Sequence, residues 1–161
     1  MHIHLMRHGQ CLSQELNRHQ PLSPVGREQT MKTARAARAL GLRFQLIATS
    51  SKARALQTAE IMAEATGYPL SRIAVTDALN PMAQADDTLD FINGYEGLDS
   101  ILVTGHLPSL AVTAAQLLGV KGLELSFDNS CLMQIVVPKT GDRGILNWHL
   151  TPMQLGLIAG S

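Results

Sequence analysis

The sequence predicts an α/β fold, specifically a three-layer sandwich in which helices cover both faces of a mostly parallel sheet. Short apolar segments alternate with longer amphipathic segments along the chain, and glycine or proline separates most of them. The length of 161 residues suits one domain, so we expect a single domain over residues 1–161.

The first half of the chain provides two strands and two helices. Extended, apolar patterns predict strands at 2–7 and 44–49. An Ala- and Arg-rich run at 27–40 predicts a helix, with the hydroxyl of Ser23 as its cap, and a second helix is expected at 53–66. Each of these helices ends at a glycine.

The second half continues the alternation and then changes. It predicts in turn a strand at 73–76, a helix at 86–93, a strand at 101–104 and a helix at 108–118. Two last strands, at 131–137 and 145–150, are joined across turn residues 138–142. We therefore expect an antiparallel C-terminal hairpin added to the parallel sheet.

Composition and charge narrow the classes of function. Thirteen Lys and Arg balance thirteen Asp and Glu, which argues against a general nucleic-acid partner. No apolar run is long enough to span a membrane, and the first residues do not resemble a signal peptide. Cys11 and Cys131 have neither metal-ligand spacing nor the density of a disulfide scaffold. We expect a soluble cytoplasmic protein with two reduced thiols and no membrane partner.

Basic residues follow three of the predicted parallel strands. Arg7 and His8 end the first strand, Arg54 lies shortly after the second, and His106 follows the strand at 101–104. In an open α/β sheet these strand ends share one edge, where ligands bind. Guanidinium groups make forked, charge-assisted hydrogen bonds to phosphate oxygens. The sequence therefore predicts a phosphate pocket at this edge.

These motifs resemble the histidine phosphatase superfamily, which includes the phosphoglycerate mutases. The resemblance rests on Arg7-His8-Gly9, on the run Ser50-x-x-x-Arg54-Ala55-x-Gln57-Thr58, on Gly105-His106, and on the Leu22-Ser23-x-x-Gly26 turn. It covers almost the whole chain. The nearest branch is that of the short bacterial phosphohistidine phosphatases, because too few residues separate the strands at 73–76 and 101–104 to form a cap domain.

The resemblance implies a role for each matched residue. His8 would attack phosphorus and carry a transient phosphoryl group, while Arg7, Arg54 and His106 would hold the phosphate oxygens. It implies neither a metal nor a cofactor. The residue types agree, because nearby guanidinium charges lower the pKa of a histidine and keep it neutral for attack. The expected partner is a phosphorylated protein, such as a histidine phosphotransfer domain, or a small phosphate ester.

The sequence departs from the family pattern at the general acid. Larger members carry a glutamate in a Leu-Asn-Glu-like segment, whereas this chain has Leu79-Asn80-Pro81. Asp86 and Asp87 are candidate proton donors, although acidic residues are also typical of a first helical turn. A weak acid suits phosphohistidine, because its P–N bond breaks readily once the ring is protonated. A small-molecule phosphomonoesterase and a catalytically weak phosphate-binding module are the alternatives.

Overall fold

A computed structural model describes residues 1–141 and 143–160 of the chain. Six strands form one sheet in the order β3-β2-β4-β1-β5-β6. The strands are β1 (His2–Arg7), β2 (Leu46–Thr49), β3 (Ala74–Val75), β4 (Ser100–Gly105), β5 (Leu132–Val136) and β6 (Ile145–Leu150). The first four pair in parallel, and β5 is antiparallel to both β1 and β6. The predicted sheet with its C-terminal hairpin is confirmed, although Asp142 of the predicted turn lies outside the described residues.

Helices cover both faces of this sheet, as the sequence predicts. They are α1 (Pro24–Ala39), α2 (Ala53–Thr66), α3 (Ala85–Asn93), α4 (Ser109–Leu117) and α5 (Pro152–Ile158). Helices α1, α2 and α5 pack on one face, and α3 and α4 pack on the other. The three-layer sandwich is therefore confirmed.

Alternation along β1 supplies both apolar cores. Ile3 and Leu5 join the core on the α3 and α4 side, while Met6 joins the core beneath α1 and α2. All three side chains are fully buried. Burying one such side chain contributes about 1.5–3 kcal/mol, so β1 is anchored from both faces. This anchoring fixes the end of the strand, where the candidate site begins.

The C-terminal helix α5 is absent from the sequence prediction. Its start is a capping box in which Thr151 Oγ1 accepts from Gln154 N at 3.3 Å and Gln154 Oε1 accepts from Thr151 N at 2.9 Å. Leu155 anchors the helix in the core. Seven residues with Gly156 near the centre give too little periodicity to reveal such a helix, although the cap itself is visible in the sequence.

Strand directions bring most connections to one edge. Because β5 is antiparallel to both β1 and β6, β6 runs in the same direction as β1. The segments after β1, β2, β3, β4 and β6 therefore all leave the sheet at the same edge, which we call the carboxyl edge. Between β3 and β4 the chain forms only a short 3₁₀ turn at Asp77–Leu79 and helix α3, so the domain has no cap.

Two glycines allow the segment after β1 to lie against α1. A side chain at Gly26 would collide with the backbone of Gln10, and one at Gly9 would collide with Thr30 and Leu22. The close approach explains why glycine follows His8. None of the described helices is both long and apolar enough to cross a membrane.

Candidate active site

His8 lies at the carboxyl edge, directly after β1, with one ring nitrogen fixed and the other free. Its Nδ1 lies 2.7 Å from the carbonyl oxygen of Gly9. Because a carbonyl oxygen only accepts, Nδ1 carries the proton and donates it, and Nε2 is left as the basic nitrogen. Among the described residues, Nε2 of His8 has no hydrogen-bond partner. The geometry therefore presents an oriented, neutral imidazole.

The pKa of His8 is lowered from 6.5 to about 4. Burial is the largest cause, and the positive charges of Arg54 and Arg7 lower the pKa further, while the bond to the Gly9 carbonyl opposes the shift. The lowering by the arginines agrees with the expectation from the sequence. The structure adds the larger effect, since only 8% of His8 is exposed. The ring is therefore neutral at physiological pH.

Arg7 extends from the last position of β1. Its Nη1 donates to the carbonyl oxygen of Phe127 at 2.8 Å, which fixes the guanidinium. Its Nε is buried and has no hydrogen-bond partner among the described residues. An unpaired buried donor is costly, so this N–H is suited to an anionic oxygen from a ligand.

His106 follows β4, and its ring centroid lies 4.9 Å from that of His8. Lys52 N donates to Ser50 Oγ at 3.3 Å, which leaves the Ser50 hydroxyl free to donate to His106 Nε2 at 2.7 Å. That arrangement places the imidazole proton on Nδ1, which is buried and unpaired among the described residues. Burial, followed by the charges of His8 and Arg54, lowers the pKa of His106 to about 3. His106 Nδ1 is thus a second unpaired donor.

Arg54 lies in the first turn of α2, and its backbone is tied to the segment after β1. Thr58 Oγ1 donates to the Arg54 carbonyl at 2.7 Å and accepts from Gly9 N at 3.0 Å. The only ion pair among the described residues joins Lys32 to Glu28, so neither Arg7 nor Arg54 is in an ion pair there, although Asp128 lines the same cavity as Arg7. The positive charges of both guanidinium groups lower the pKa of His8.

A brace behind the site was not predicted from the sequence. Asn129 Nδ2 donates to the His8 carbonyl at 3.0 Å, and Ser130 N donates to the Arg7 carbonyl at 3.1 Å. Ser130 has a φ of 62°, and its hydroxyl lies 2.8 Å from the hydroxyl of Thr30. The sequence signal for this contact is a pair of threonines, Thr30 and Thr33, on the buried face of an alanine-rich helix.

The candidate proton donors Asp86 and Asp87 have other partners. Asp87 Oδ2 accepts from Gln84 N at 3.3 Å and caps α3, and Asp86 Oδ1 accepts from Gln116 Nε2 at 3.2 Å. Both carboxylates are exposed, and both belong to the first turn of α3. Both carboxylates therefore stabilise the start of α3, as acidic residues in a first helical turn commonly do.

Asn80, which precedes the proline at the position of the family glutamate, lies beside the site. Its Oδ1 accepts from Ser51 N at 3.4 Å and from Ser51 Oγ at 3.3 Å. Its Nδ2 donates to Asp77 at 2.9 Å. The turn therefore contacts the segment after β2 through an amide rather than a carboxylate.

The described residues outside this site offer neither a metal site nor a reactive cysteine pair. Within residues 1–141 and 143–160, no group of three or more His, Cys, Asp or Glu is placed to bind a metal ion. Cys11 and Cys131 are both free, and burial raises the pKa of the Cys131 thiol to about 12.

Comparison with solved structures shows the same fold. The protein histidine phosphatase SixA, solved with tungstate, matches with a TM-score of 0.86 and 24% identity over 96% of this chain and 99% of that chain. An Agrobacterium tumefaciens protein provisionally named phosphohistidine phosphatase SixA matches with a TM-score of 0.78 and 23% identity over 94% and 97%. A mycobacterial glucosyl-3-phosphoglycerate phosphatase, solved with VO3, matches with a TM-score of 0.71 and 16% identity over 91% and 97%.

Comparison at the level of sequence assigns the family. No curated protein matches the chain. The family model of the histidine phosphatase superfamily (branch 1) matches residues 3–83, which contain β1, His8, the turn before α1, and Arg54. The chain belongs to the histidine phosphatase superfamily.

Proposed function

We propose that the protein is a phosphatase that removes the phosphoryl group from phosphohistidine on another protein, through a covalent phosphohistidine at His8. One observation carries the proposal. The free Nε2 of His8 lies in a site with two buried, unpaired donors, Arg7 Nε and His106 Nδ1. A neutral nucleophile among unpaired donors and cationic groups suits attack on a phosphoryl group.

In the first step the lone pair of His8 Nε2 forms a bond to phosphorus as the P–N bond of the substrate breaks. The leaving histidine, protonated on its other nitrogen, departs as a neutral imidazole. In the second step water attacks phosphorus, the bond to Nε2 breaks, and the proton of the water passes to the phosphate. Because Nδ1 keeps its proton against the Gly9 carbonyl, His8 also leaves as a neutral imidazole. Neither departure requires a carboxylic acid.

Side chains supply the charge stabilisation in this proposal. Arg7, Arg54 and His106 hold the three oxygens as the phosphoryl group passes between the two nitrogens. The guanidinium groups are available because no carboxylate among the described residues pairs with them. We therefore propose a metal-independent reaction.

The substrate class rests on the open carboxyl edge and on the proton donor. The site has no cap, and Asn80 occupies the turn next to the position of the family's acid. Both features favour a labile P–N bond on a large substrate, and the fold of SixA supports the same assignment. The fold similarity to a glucosyl-3-phosphoglycerate phosphatase supports a small phosphate ester as the second candidate. A cytoplasmic location, consistent with two free cysteines, belongs to the proposal.

The test compares kcat/KM for a phosphorylated histidine phosphotransfer domain with that for sugar phosphates and phosphoglycerates. We expect the domain to be favoured at least about a hundredfold, or about 2.7 kcal/mol of transition-state stabilisation. Rapid quench should trap label on the chain as an adduct that is labile in acid and stable in base. Equal or greater efficiency with a small ester would assign the second candidate, and acid-stable label would exclude His8 as its carrier.

A further inference from the structure

The most exposed apolar side chains of the protein lie on segments that leave the sheet at the carboxyl edge. Among the described residues, four large apolar side chains are more than three-quarters exposed, namely Leu16, Met82, Met153 and Leu157. Leu16 follows β1, Met82 follows β3, and the other two lie on α5 after β6. The amino edge has no side chain of this kind in the described chain. The four most exposed large apolar side chains of the described chain therefore all follow strands that end at the carboxyl edge.

Two of these side chains are joined to the site by direct contacts of their segments. Met153 lines a cavity of about 410 Å³ together with Arg7, Gln10 and one acidic residue, Asp128. Met82 belongs to the turn that begins at Asn80, which accepts hydrogen bonds from Ser51. The segments that carry these side chains, α5 and the turn after β3, therefore both adjoin the candidate site.

Leu16 belongs to a third segment, the one after β1 that also contributes to a basic cavity. Arg18, two residues further along, lines a cavity of about 490 Å³ with Lys52 and Arg54. None of the described residues that line this cavity is acidic. The cavity therefore complements a ligand with acidic groups near its phosphate.

We propose that Leu16, Met82 and Met153, which we call the rim, act with Arg18 as a docking surface for a folded, acidic protein that carries the phosphohistidine. This inference rests on the proposed function and names the surface that selects its substrate. The rim comes from three separate segments that follow β1, β3 and β6 at the carboxyl edge, and a free amino acid is too small to cover all three. A folded domain that inserts one side chain covers the rim and excludes water from it. The basic cavity determines the charge that this domain must present.

The experiment uses two probes that contain the same P–N bond. One is a histidine phosphotransfer domain phosphorylated with phosphoramidate, and the other is free phosphohistidine. The variants are Leu16→Ser, Met82→Ser, Met153→Ser and Arg18→Gln in the full chain, which add no carboxylate beside Arg7 or Arg54. Leu70→Ser is the matched control, because Leu70 is also exposed but precedes β3 and therefore lies at the amino edge. Far-ultraviolet circular dichroism confirms that each variant is folded.

We expect each rim variant, and Arg18→Gln, to lower kcat/KM for the phosphorylated domain by about tenfold or more, as exposed anchors of an interface do. Turnover of free phosphohistidine should stay within about twofold of the unmodified chain, and Leu70→Ser should change neither value.

Several outcomes would contradict the docking surface while leaving the proposed function intact. Equal losses with both probes would assign the rim to the site itself, and the absence of any loss would exclude docking. Rim-dependent binding to phosphatidylglycerol vesicles, without an effect on the phosphorylated domain, would assign the surface to a membrane. Failure of the unmodified chain to hydrolyse either probe would instead overturn the proposed function.

Discussion

Two buried histidines, His4 within β1 and His8 directly after it, differ in the hydrogen bonding of the ring nitrogen Nε2. Both donate from Nδ1 to a backbone carbonyl, His4 to Ile101 at 3.0 Å and His8 to Gly9 at 2.7 Å. Burial lowers the pKa of each ring to about 4. However, Nε2 of His4 accepts from Gln134 Nε2 at 2.8 Å, whereas Nε2 of His8 has no partner among the described residues.

The surroundings of the two rings explain the difference. His4 packs against Phe44 and Trp148, with ring centroids 5.1 and 6.0 Å away, whereas His8 adjoins His106 and is influenced by Arg54. A lowered pKa alone therefore does not identify a reactive histidine. A reactive histidine is identified by an oriented ring whose basic nitrogen is free and which lies near cations that have no ion-pair partner.

The largest expected effect is that of His8→Ala on turnover. Because no neighbouring nucleophile replaces Nε2, we expect kcat to fall by about 10⁴-fold or more, while the melting temperature changes by less than about 3 °C. Single-turnover kinetics and calorimetry measure the two quantities. A variant that kept a tenth of the activity would remove His8 from the proposed mechanism.

The converse substitution, His4→Ala, should act on the fold. It opens a cavity and leaves the side-chain amide N–H of Gln134 without its partner, so we expect a loss of about 3 kcal/mol in the free energy of unfolding. Urea titration measures this loss. For folded protein, kcat/KM should remain within about threefold. His2→Ala, at an exposed position of the same strand, is the control and should change neither quantity.

Arg54→Lys tests whether the cations near His8 act by charge alone. A lysine ammonium keeps the charge but cannot make two forked bonds to adjacent oxygens, so we expect kcat/KM to fall by about thirtyfold. Kinetics at fixed ionic strength provide the measurement. Activity equal to that of the unmodified chain would show that charge suffices. Arg35→Lys, on the exposed face of α1, serves as a control for the substitution.

The smallest effect concerns protonation. In the free protein both rings should titrate near pH 4, and saturating inorganic phosphate should raise the pKa of His8 while leaving that of His4 unchanged, because only His8 lies beside the pocket. Nuclear magnetic resonance of the imidazole carbons follows both rings. An equal response of the two rings would contradict a phosphate site at His8.

The same pKa values determine how stability depends on pH. Unfolded histidines bind protons below about pH 6.5, whereas the folded rings remain neutral to about pH 4, so the free energy of unfolding should decrease as pH falls through that interval.

The sequence predicts the parallel sheet and the convergence of Arg7, His8, Arg54 and His106, because glycine, proline and apolar runs mark the strand ends locally. It does not predict the contacts made over long distances along the chain. The contact of Asn129 with the His8 carbonyl joins residues 121 positions apart, and nothing in the local pattern around it indicates the partner.

The start of β2 and the whole of helix α5 also depend on contacts between residues distant in the sequence. The strand expected at 44–49 begins at Leu46, because the chain bends at Gln45, whose N–H already donates to the Ser100 carbonyl. Helix α5 depends on burying Leu155 rather than on periodicity. The role of Asp86 likewise depends on a distant contact, because its carboxylate accepts a hydrogen bond from Gln116 on α4. The sequence pattern around Asp86 does not specify this partner.

The exposed turn around Met82 has a consequence for how this fold acquires new specificity. It lies at the carboxyl edge between β3 and α3, and Met82 itself is 87% exposed, so residues inserted after it would not enter either core. Doubling the length of a loop costs only about 0.6 kcal/mol in chain entropy. An insertion here would add residues to the carboxyl edge, where the candidate site lies. The size of the accepted substrate could therefore change through this turn while both cores and the catalytic residues stay the same.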